Sequence, residues 1–331
     1  MYVNRIYNAD IPDFIQEISE LDIMQRLKDT GMDCGCEYTA FSIWQDLLPA
    51  KRFEHSIGVA LIVWHFTRDE KQAIAGLLHD VSTPAFAHVI DFMNHDYLSQ
   101  ESTESDTRNI IESSLELQLI LERHGLSTDD VCDYHNYPVA DNDSPKLSAD
   151  RLEYTMRNFY RYLHMTEEQI RSYYDDLCVI KNEEGTDELA FNDPELAEEF
   201  VINTLKTSSI YVQDADRYSM ELLGRIIKDG LERKVIDYSD IYAGESVVIE
   251  KLKKDDVSNR KWNDFCAMNE MMISDEQIDD SWIKVAAKKR YIDPLVKGKG
   301  RISVVSPKAG KLIEEFKNKS FDYYMKGKTR D

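Results

Sequence analysis

Histidine and aspartate residues lie beside runs of apolar residues between Lys51 and Asp91, and this pattern constrains the fold more than any other feature of the sequence. Apolar residues follow His55 at intervals of three and four, so His55 opens the buried face of an amphipathic helix. A second apolar run ends in the pair His79-Asp80. Two helices packed through these faces would bring the three side chains to one point. Mixed imidazole and carboxylate ligands suit a divalent cation with open coordination positions.

The segments around these residues resemble the signature of the HD-domain metal-dependent phosphohydrolases. Arg52-Phe53-Glu54-His55 and Leu78-His79-Asp80 carry the resemblance. Within that superfamily the sequence is most similar to the deoxynucleoside triphosphate triphosphohydrolases, and the segment from Ser148 to Tyr154 fits their fourth ligand. The resemblance implies one or two divalent cations, of Mg, Mn, Fe, Ni or Zn. It implies these metal ligands: His55, His79, Asp80 and Asp150.

Further roles are expected beside the metal. We expect His88, oriented by Asp91, to transfer a proton, because imidazole titrates near neutral pH and a carboxylate can fix its tautomer. The expected substrate contacts are Arg52, Tyr154, Arg157 and Gln25. Each assignment has a plainer alternative that the sequence leaves open. His88 and Asp91 could cap or decorate a short helix, and Arg52 could be a surface salt-bridge partner. Tyr154 could belong to the edge of the core and Arg157 to a solvated face.

Two positions depart from the triphosphohydrolase pattern. Thr83 and Thr103 stand where those enzymes have histidine. Threonine cannot act as an acid near neutral pH, so triphosphate hydrolysis is not the only function to consider. Three alternatives remain open: a deoxynucleoside triphosphate triphosphohydrolase, another HD phosphohydrolase such as a nucleoside monophosphatase, and a nucleotide-binding regulator with weak catalysis.

The charge balance favours a small substrate over nucleic acid. The chain has 40 basic and 62 acidic residues and a net charge of −22, which opposes a sequence-independent grip on phosphate backbones. We therefore expect a small phosphorylated substrate, in particular a nucleotide. No apolar run approaches the roughly 18 residues of a membrane span, and the N-terminus lacks a signal-peptide core. We expect no membrane contact, a cytoplasmic location with reduced cysteines and, from the resemblance, a homo-oligomer.

The pattern of elements predicts a mainly α protein. We expect an HD-domain helical bundle over residues 1–175 and, over residues 176–331, a helical extension with a hairpin and a smaller mixed α/β C-terminal part. Helices are predicted over 11–30, 41–48, 53–66, 69–80, 99–123, 194–234 and 275–289, and from an N-cap at Ser148. Strands are predicted over 177–180, 188–191, 291–296 and 302–305. The histidines outside the motif are expected to be structural: His65, His95, His124, His135 and His164.

Overall fold

The computed structural model describes residues 4–7, 10–93 and 106–329. The first half of the chain is helical, which confirms the predicted mainly α class. Its helices are α1 (Asn4–Tyr7), α2 (Asp13–Ser19), α3 (Asp22–Gln25), α4 (Arg52–Thr67), α5 (Glu70–Leu78), α6 (Val89–Met93), α7 (Thr107–Ser113), α8 (Leu115–Arg123), α9 (Thr128–Val131), α10 (Ala149–Leu163) and α11 (Glu167–Asp175). Single 3-10 turns lie at Arg26–Asp29, Cys36–Tyr38 and Tyr134–Asn136.

The second half adds two small sheets to further helices. The helices are α12 (Pro194–Ser208), α13 (Asp214–Glu232), α14 (Tyr238–Ile241), α15 (Glu245–Lys254), α16 (Asp256–Ala267), α17 (Ile302–Val305) and α18 (Pro307–Asn318). The strands are β1 (Leu177–Lys181), β2 (Asp187–Phe191), β3 (Glu270–Ser274), β4 (Leu295–Val296), β5 (Gly300–Arg301) and β6 (Tyr324–Lys328).

The predicted hairpin is confirmed as the pair β1 and β2. These strands are antiparallel, with Leu177 opposite Phe191, and β2 continues the sheet through a parallel pairing with β4. An antiparallel pair of β4 and β5 completes the order β1-β2-β4-β5. Strands β3 and β6 form a separate antiparallel pair. The four-stranded sheet therefore pairs segments that are 105 positions apart in the sequence, as for Ala190 and Leu295.

Helix α4 is the centre of the HD part. Every residue from Arg52 to Val63 except Glu54 is buried, as expected for a helix that is apolar on most sides. It packs against α1, α5 and α10. Glycine permits two of these close approaches, since a Cβ at Gly76 would lie 3.2 Å from Val59 and one at Gly58 would meet α10. The polar ends of three helices are thereby brought together.

Two apolar clusters hold the described residues together. One surrounds α4, α5, α10 and α12, and the other surrounds α13 and α16 with Phe86 and Trp262. Both clusters contain residues from 1–175 and from 176–331, and α13 packs against α6. The domain boundary at 175/176 stays a prediction. Within the described ranges, no helix has the length and apolar character required to cross a bilayer.

Several predicted helices differ from the structure. The helix expected over 11–30 is divided into α2, α3 and a 3-10 turn, because Leu21 is extended with ψ of 146°. The helix expected over 41–48 is a series of turns with Asp46 at φ of 64°. Ser114 separates α7 from α8, where it accepts a hydrogen bond from the Leu117 N–H as an N-cap. Residues 94–105 lie outside the described part of the chain, with Thr103 and His95 among them.

The C-terminal predictions were less accurate. The prediction of a helix over 275–289 is wrong, because those residues form turns, a bridge at Ile283 and irregular chain. Helices α15 and α16 lie before this segment and were not predicted, because the consecutive apolar residues Val247, Val248 and Ile249 show no helical periodicity. The strand expected over 302–305 is helix α17. The expected strand over 291–296 is reduced to the two residues of β4.

Candidate metal centre and its cavity

Three elements converge on the predicted metal ligands. His55 lies in the first turn of α4, His79 and Asp80 follow the last residue of α5, and Asp150 lies in the first turn of α10. Ser148 caps α10 by accepting a hydrogen bond from the Arg151 N–H, as the sequence predicts. The cap fixes where α10 begins and so fixes the position of Asp150.

The ligand atoms are close enough to share one cation. The Nε2 atoms of His55 and His79 are 3.2 Å apart, and the Asp80 Oδ2 atom lies 3.9 Å and 3.4 Å from them. Asp150 Oδ1 lies 3.0 Å from His55 Nε2 and 3.8 Å from His79 Nε2. Ligand atoms bound at about 2.1 Å and at right angles around one ion are about 3 Å apart. The observed spacing therefore suits a divalent ion.

The outer hydrogen bonds of the imidazoles aim both Nε2 atoms at this point. His55 Nδ1–H donates to Glu153 Oε2 at 2.6 Å, and His79 Nδ1–H donates to the Gly76 carbonyl at 2.7 Å. Such partners fix the tautomer of metal-binding histidines. Two facing Nε2 lone pairs repel unless a proton or a cation lies between them. Asp80 Oδ2 is buried beside them without a hydrogen-bond partner, so the residues present fit a metal ion.

The local electrostatics keep the carboxylates ionised. Burial raises the pKa of Asp80, but Arg52, His79 and His55 outweigh it and hold this pKa well below its usual range. Asp150 has its pKa lowered in the same way, mainly by His55. Burial lowers the pKa of His55, whereas its hydrogen bonds to Asp150 and Glu153 raise it to about 9. His55 is therefore protonated at neutral pH, and its positive charge offsets the charge of the neighbouring carboxylates.

Arg52 and Thr83 both act on Asp80. Arg52 Nη1 donates to Asp80 Oδ1 at 2.6 Å, and the Thr83 hydroxyl donates to the same oxygen at 2.7 Å. Two donors on Oδ1 leave Oδ2 for the cation. Arg52 also lines the cavity described below, whereas Thr83 is only 1% exposed. Thr83 thus has a role in orienting Asp80 that its comparison with histidine did not suggest.

His88 precedes α6 and is paired with Asp91. Its Nδ1–H donates to Asp91 Oδ2 at 2.9 Å, and Asp91 is fully buried. Burial lowers the pKa of His88 to about 4, with Arg290 and Arg52 acting in the same direction and Asp91 opposing them. The imidazole is therefore neutral at pH 7, with the Nε2 lone pair directed to Arg290 Nη2 at 3.5 Å.

A cavity of about 640 Å³ opens above these residues. Tyr154, one of the expected substrate contacts, lies in its wall, and Arg151 lies beside it, bound to Asp141 at 3.2 Å. Its wall is rich in aromatic side chains from distant parts of the sequence: Trp44, Phe92, Tyr134, Tyr154, Tyr162, Tyr211 and Tyr291. Polar groups on the same wall include Asp33, Asn158 and Asp216. A ligand with an anionic end and an aromatic end matches this lining.

Two expected substrate contacts lie away from the cavity in the structure. Gln25 does not line the cavity, because its amide donates to the Ser19 carbonyl at 2.6 Å and accepts from Lys28. Arg157 lies behind the metal centre, where it binds the Glu153 carboxylate and donates to the Glu54 carbonyl at 3.1 Å. Arg157 therefore supports the residue that holds His55.

Sequence reasoning missed other residues of the site. His135 was expected to be structural, but it lines the cavity and interacts with Asp133 at 3.0 Å and Asp141 at 3.4 Å. Glu153 carried a usable signal, because it lies three residues after Asp150 and four before Arg157, at the spacing of a helical ion pair. The segment 286–291 also lines the cavity and carries three cations. The prediction placed its first four residues in a helix and Tyr291 in a strand.

Comparison with known proteins agrees with this geometry. The HD domain family model matches residues 52–154. The uncharacterized protein YdhJ of Bacillus subtilis (strain 168) is 28% identical over 295 residues, which are 82% of this chain and 86% of YdhJ. The metal-dependent phosphohydrolase cns2 of the fungus Cordyceps militaris is 31% identical over 107 residues, which are 32% of this chain and 30% of cns2.

Two solved structures share the fold over almost the whole chain. A hypothetical protein from Aquifex aeolicus has a TM-score of 0.63 at 17% identity, covering 96% of this chain and 93% of that one. Phosphohydrolase BT4208 from Bacteroides thetaiotaomicron VPI-5482 has a TM-score of 0.62 at 15% identity, with 97% of both chains covered. From the matched segment and the ligand geometry within it, we conclude that residues 52–154 form an HD domain and that the protein is a metal-dependent phosphohydrolase.

Proposed function

We propose that the protein hydrolyses a phosphate ester or anhydride of a nucleotide, with deoxynucleoside triphosphates as the first candidate substrates. One observation carries the proposal. The donor-free Asp80 Oδ2 and two facing imidazole nitrogens lie beneath a cavity with an aromatic wall and several cations. These features support a metal-bound phosphate at one end of the ligand and an aromatic base at the other.

The side chains around the metal centre hold its proposed ligands in place. A bound divalent cation would polarise the phosphate and lower the pKa of a water molecule. Arg52 and Thr83 hold Asp80 Oδ1, and Glu153 holds His55, so the ligands are preorganised. Asp150 completes the proposed ligand set. Preorganisation of this kind keeps the reorganisation cost of metal binding and catalysis low.

His88 is the proposed proton acceptor. It is neutral at pH 7, and its Nδ1–H is held by Asp91, so Nε2 carries the lone pair at the cavity wall, 3.5 Å from Arg290 Nη2. A nucleophilic water could transfer a proton to this atom during attack on phosphorus. Asp91 would then stabilise the imidazolium that forms. His88 Nε2 is the atom that would accept the proton, and the hydrogen bond of Nδ1–H to Asp91 already fixes the tautomer that this requires.

Tyrosine side chains form the proposed nucleoside subsite. Tyr154 and Tyr211 line the cavity, and Asn158 Nδ2 donates to the Tyr211 hydroxyl beside them. Aromatic faces bind nucleobases through stacking, and an amide can bind a sugar hydroxyl or a base edge. Arg52 reaches the same cavity from the metal side, so it remains the proposed contact to a phosphate oxygen.

Thr83 favours a second candidate function, the hydrolysis of nucleoside monophosphates. Its hydroxyl is committed to Asp80 Oδ1 and is buried, so no protonatable group from this position faces the substrate. A monophosphate carries less charge away from the metal and depends less on such a group. The two candidate functions release different products, which are tripolyphosphate from a deoxynucleoside triphosphate and phosphate from a monophosphate.

A nucleotide panel tests the proposal. Purified protein is incubated with deoxynucleoside mono-, di- and triphosphates in the presence of Mg²⁺, Mn²⁺, Ni²⁺ or a chelator. Tripolyphosphate release supports the first candidate, and phosphate from monophosphates supports the second. Nucleotide binding without any product under all four conditions would reject both and support a regulator. Light scattering on the same sample tests the expected homo-oligomer.

A further inference from the structure

Residues 286–291, here called the basic strap, form one wall of the cavity. All six residues line it: Ala286, Ala287, Lys288, Lys289, Arg290 and Tyr291. The strap has no regular secondary structure, and it lies more than 130 residues after the last proposed metal ligand in the sequence. It therefore supplies cations to the site from outside the HD-matched segment 52–154.

The strap is fixed at both ends. Before it, Ile283 exchanges two backbone hydrogen bonds with Met325 at 3.0 and 2.8 Å, and the buried Arg217 donates from Nη1 to the Val285 carbonyl. After it, the Asp293 N–H donates to the Pro145 carbonyl at 2.8 Å. One anchor thus belongs to the C-terminal part, and the other lies in the loop before α10. The strap spans the cavity between them.

The three cations of the strap differ in position. Arg290 Nη2 lies 3.5 Å from His88 Nε2, at the reactive end of the cavity. The ammonium group of Lys289 donates a hydrogen bond to the Lys317 carbonyl and lies 5.7 Å from the centre of the Phe321 ring. Its charge is therefore directed to α18 and the segment after it. Lys288 lines the cavity beside them.

Cations of the HD part are largely neutralised by neighbouring carboxylates. Arg52 is bound to Asp80 at 2.6 Å, and Arg151 to Asp141 at 3.2 Å. The whole chain carries a net charge of −22, so a polyphosphate meets an unfavourable field unless cations are placed locally. Arg290 and Lys288 line the same cavity and add two cations to its wall.

Resting on the proposed function, we propose that the basic strap binds the polyphosphate chain of the substrate. Arg290 binds the phosphoryl oxygens beside His88, and Lys288 binds phosphate groups farther from the metal. A planar guanidinium is suited to two phosphate oxygens at once, while an ammonium acts as a point charge. The substrate class is therefore nucleoside di- and triphosphates, in preference to monophosphates.

Three single substitutions test the strap. Arg290→Ala should lower kcat/KM for deoxynucleoside triphosphates by about 100-fold, as for the loss of one donor to a charged transition state. Lys288→Ala should raise KM for triphosphates by about tenfold. The matched control is Lys284→Ala, which removes the same charge two residues before the strap, where Lys284 is paired with Asp322 and does not line the cavity. It should change neither value by more than about twofold. Equal effects of all three substitutions would overturn the proposal, because they would indicate a general field effect.

Binding of inorganic tripolyphosphate separates this proposal from the proposed function. Calorimetry on the wild type, Arg290→Ala and Arg290→Gln measures binding without turnover, and circular dichroism checks that each variant is folded. If the wild type binds tripolyphosphate, Arg290 variants do not, and no nucleotide is hydrolysed, the strap proposal stands and the function fails. If nucleotides are hydrolysed and Arg290 variants act and bind like wild type, the strap proposal is overturned and the function stands. No binding to the wild type overturns the strap proposal as well.

Discussion

Gly58 of α4 lies directly against Glu153 of α10. A Cβ atom at Gly58 would be 2.6 Å from Glu153 Cγ and 2.7 Å from its Oε1. The absent side chain therefore gives space to the carboxylate that holds His55 Nδ1 at 2.6 Å. A residue with no functional group of its own thus determines whether a metal-binding histidine is correctly oriented.

The substitution Gly58→Ala should displace Glu153 and reduce metal affinity by about 10- to 100-fold. It should also lower stability by about 1 to 3 kcal/mol, because α4 and α10 are overpacked. The control Gly224→Ala introduces a Cβ 3.3 Å from backbone atoms of Val89 and Met93, away from the ligands. It should lower stability while sparing metal affinity. Metal titration and thermal melting measure both effects, and equal loss of affinity in the two variants would contradict the prediction.

Replacement of a proposed ligand should remove the metal. His79→Ala or Asp80→Ala deletes one of the proposed donors and leaves an incomplete, charged site. Elemental analysis of the purified variants should show metal content reduced to background. His124→Ala is the control, because that imidazole is paired with Glu70 in another part of the fold. Unchanged metal content in both ligand variants would disprove the assignment.

Thr83 should matter for the metal rather than for the substrate. Thr83→Val has nearly the same shape but cannot donate to Asp80 Oδ1, and loss of one hydrogen bond to a buried charge costs about 1.5 to 3 kcal/mol. We expect weaker metal binding in Thr83→Val and near wild-type binding in Thr83→Ser, which keeps the hydroxyl. The dissociation constant of the metal is the measurement. An unaffected constant in Thr83→Val would show that Arg52 alone is sufficient to hold Asp80.

His88 should affect catalysis while sparing the metal. His88→Ala removes the proposed proton acceptor, so kcat should fall by about 10² to 10⁴ with little change in KM. Asp91→Asn should give a smaller decrease, because Nε2 remains present but is less well oriented. Metal content and steady-state kinetics are measured together. A fully active His88→Ala variant that retains its metal would refute the role of His88 as proton acceptor.

Glu37 should make folding stability depend on pH. Burial, together with Asp33 and Glu245, raises the pKa of this carboxyl from 4.5 to about 8. Between these two values the folded state binds more protons than the unfolded state, so stability falls as pH rises from 4.5 to 8. Glu37→Gln does not titrate. Its melting temperature should therefore exceed that of wild type by about 5 °C at pH 8 and match it at pH 4. A constant difference across this range would contradict the mechanism.

Sequence reasoning was accurate where the signal was local. The order of His55, His79 and Asp80 on helices with clear periodicity predicted that these side chains would meet. The N-cap at Ser148 was readable for the same reason. Arg157 was misplaced because its i−4 partner Glu153 was overlooked, and Gln25 because a local turn binds its amide.

Contacts between distant segments could not be predicted from the periodicity of the sequence. Arg290 and His88 are 202 positions apart, and nothing in the pattern around either residue specifies the other. The basic strap is irregular, with a single bridge at Ile283 before it and the two-residue strand β4 after it. The apolar periods that predicted a helix over 275–289 and a strand over 291–296 therefore did not correspond to regular structure at the strap. His135 reached the cavity through a short 3-10 turn, which is likewise determined by tertiary contacts.

The residues that line the cavity come from separate parts of the chain. Its metal end comes from residues within 52–154, whereas Tyr211, Asp216 and the basic strap close it from the C-terminal half. A fragment cut at the edges of the HD match would therefore retain candidate ligands and lose the opposite wall. Substitutions in that wall could redirect such a protein to a new substrate while its hydrolytic chemistry stayed the same. On the proposed function, residues 52–154 supply the hydrolytic chemistry, and the C-terminal half helps to select the molecule on which it is performed.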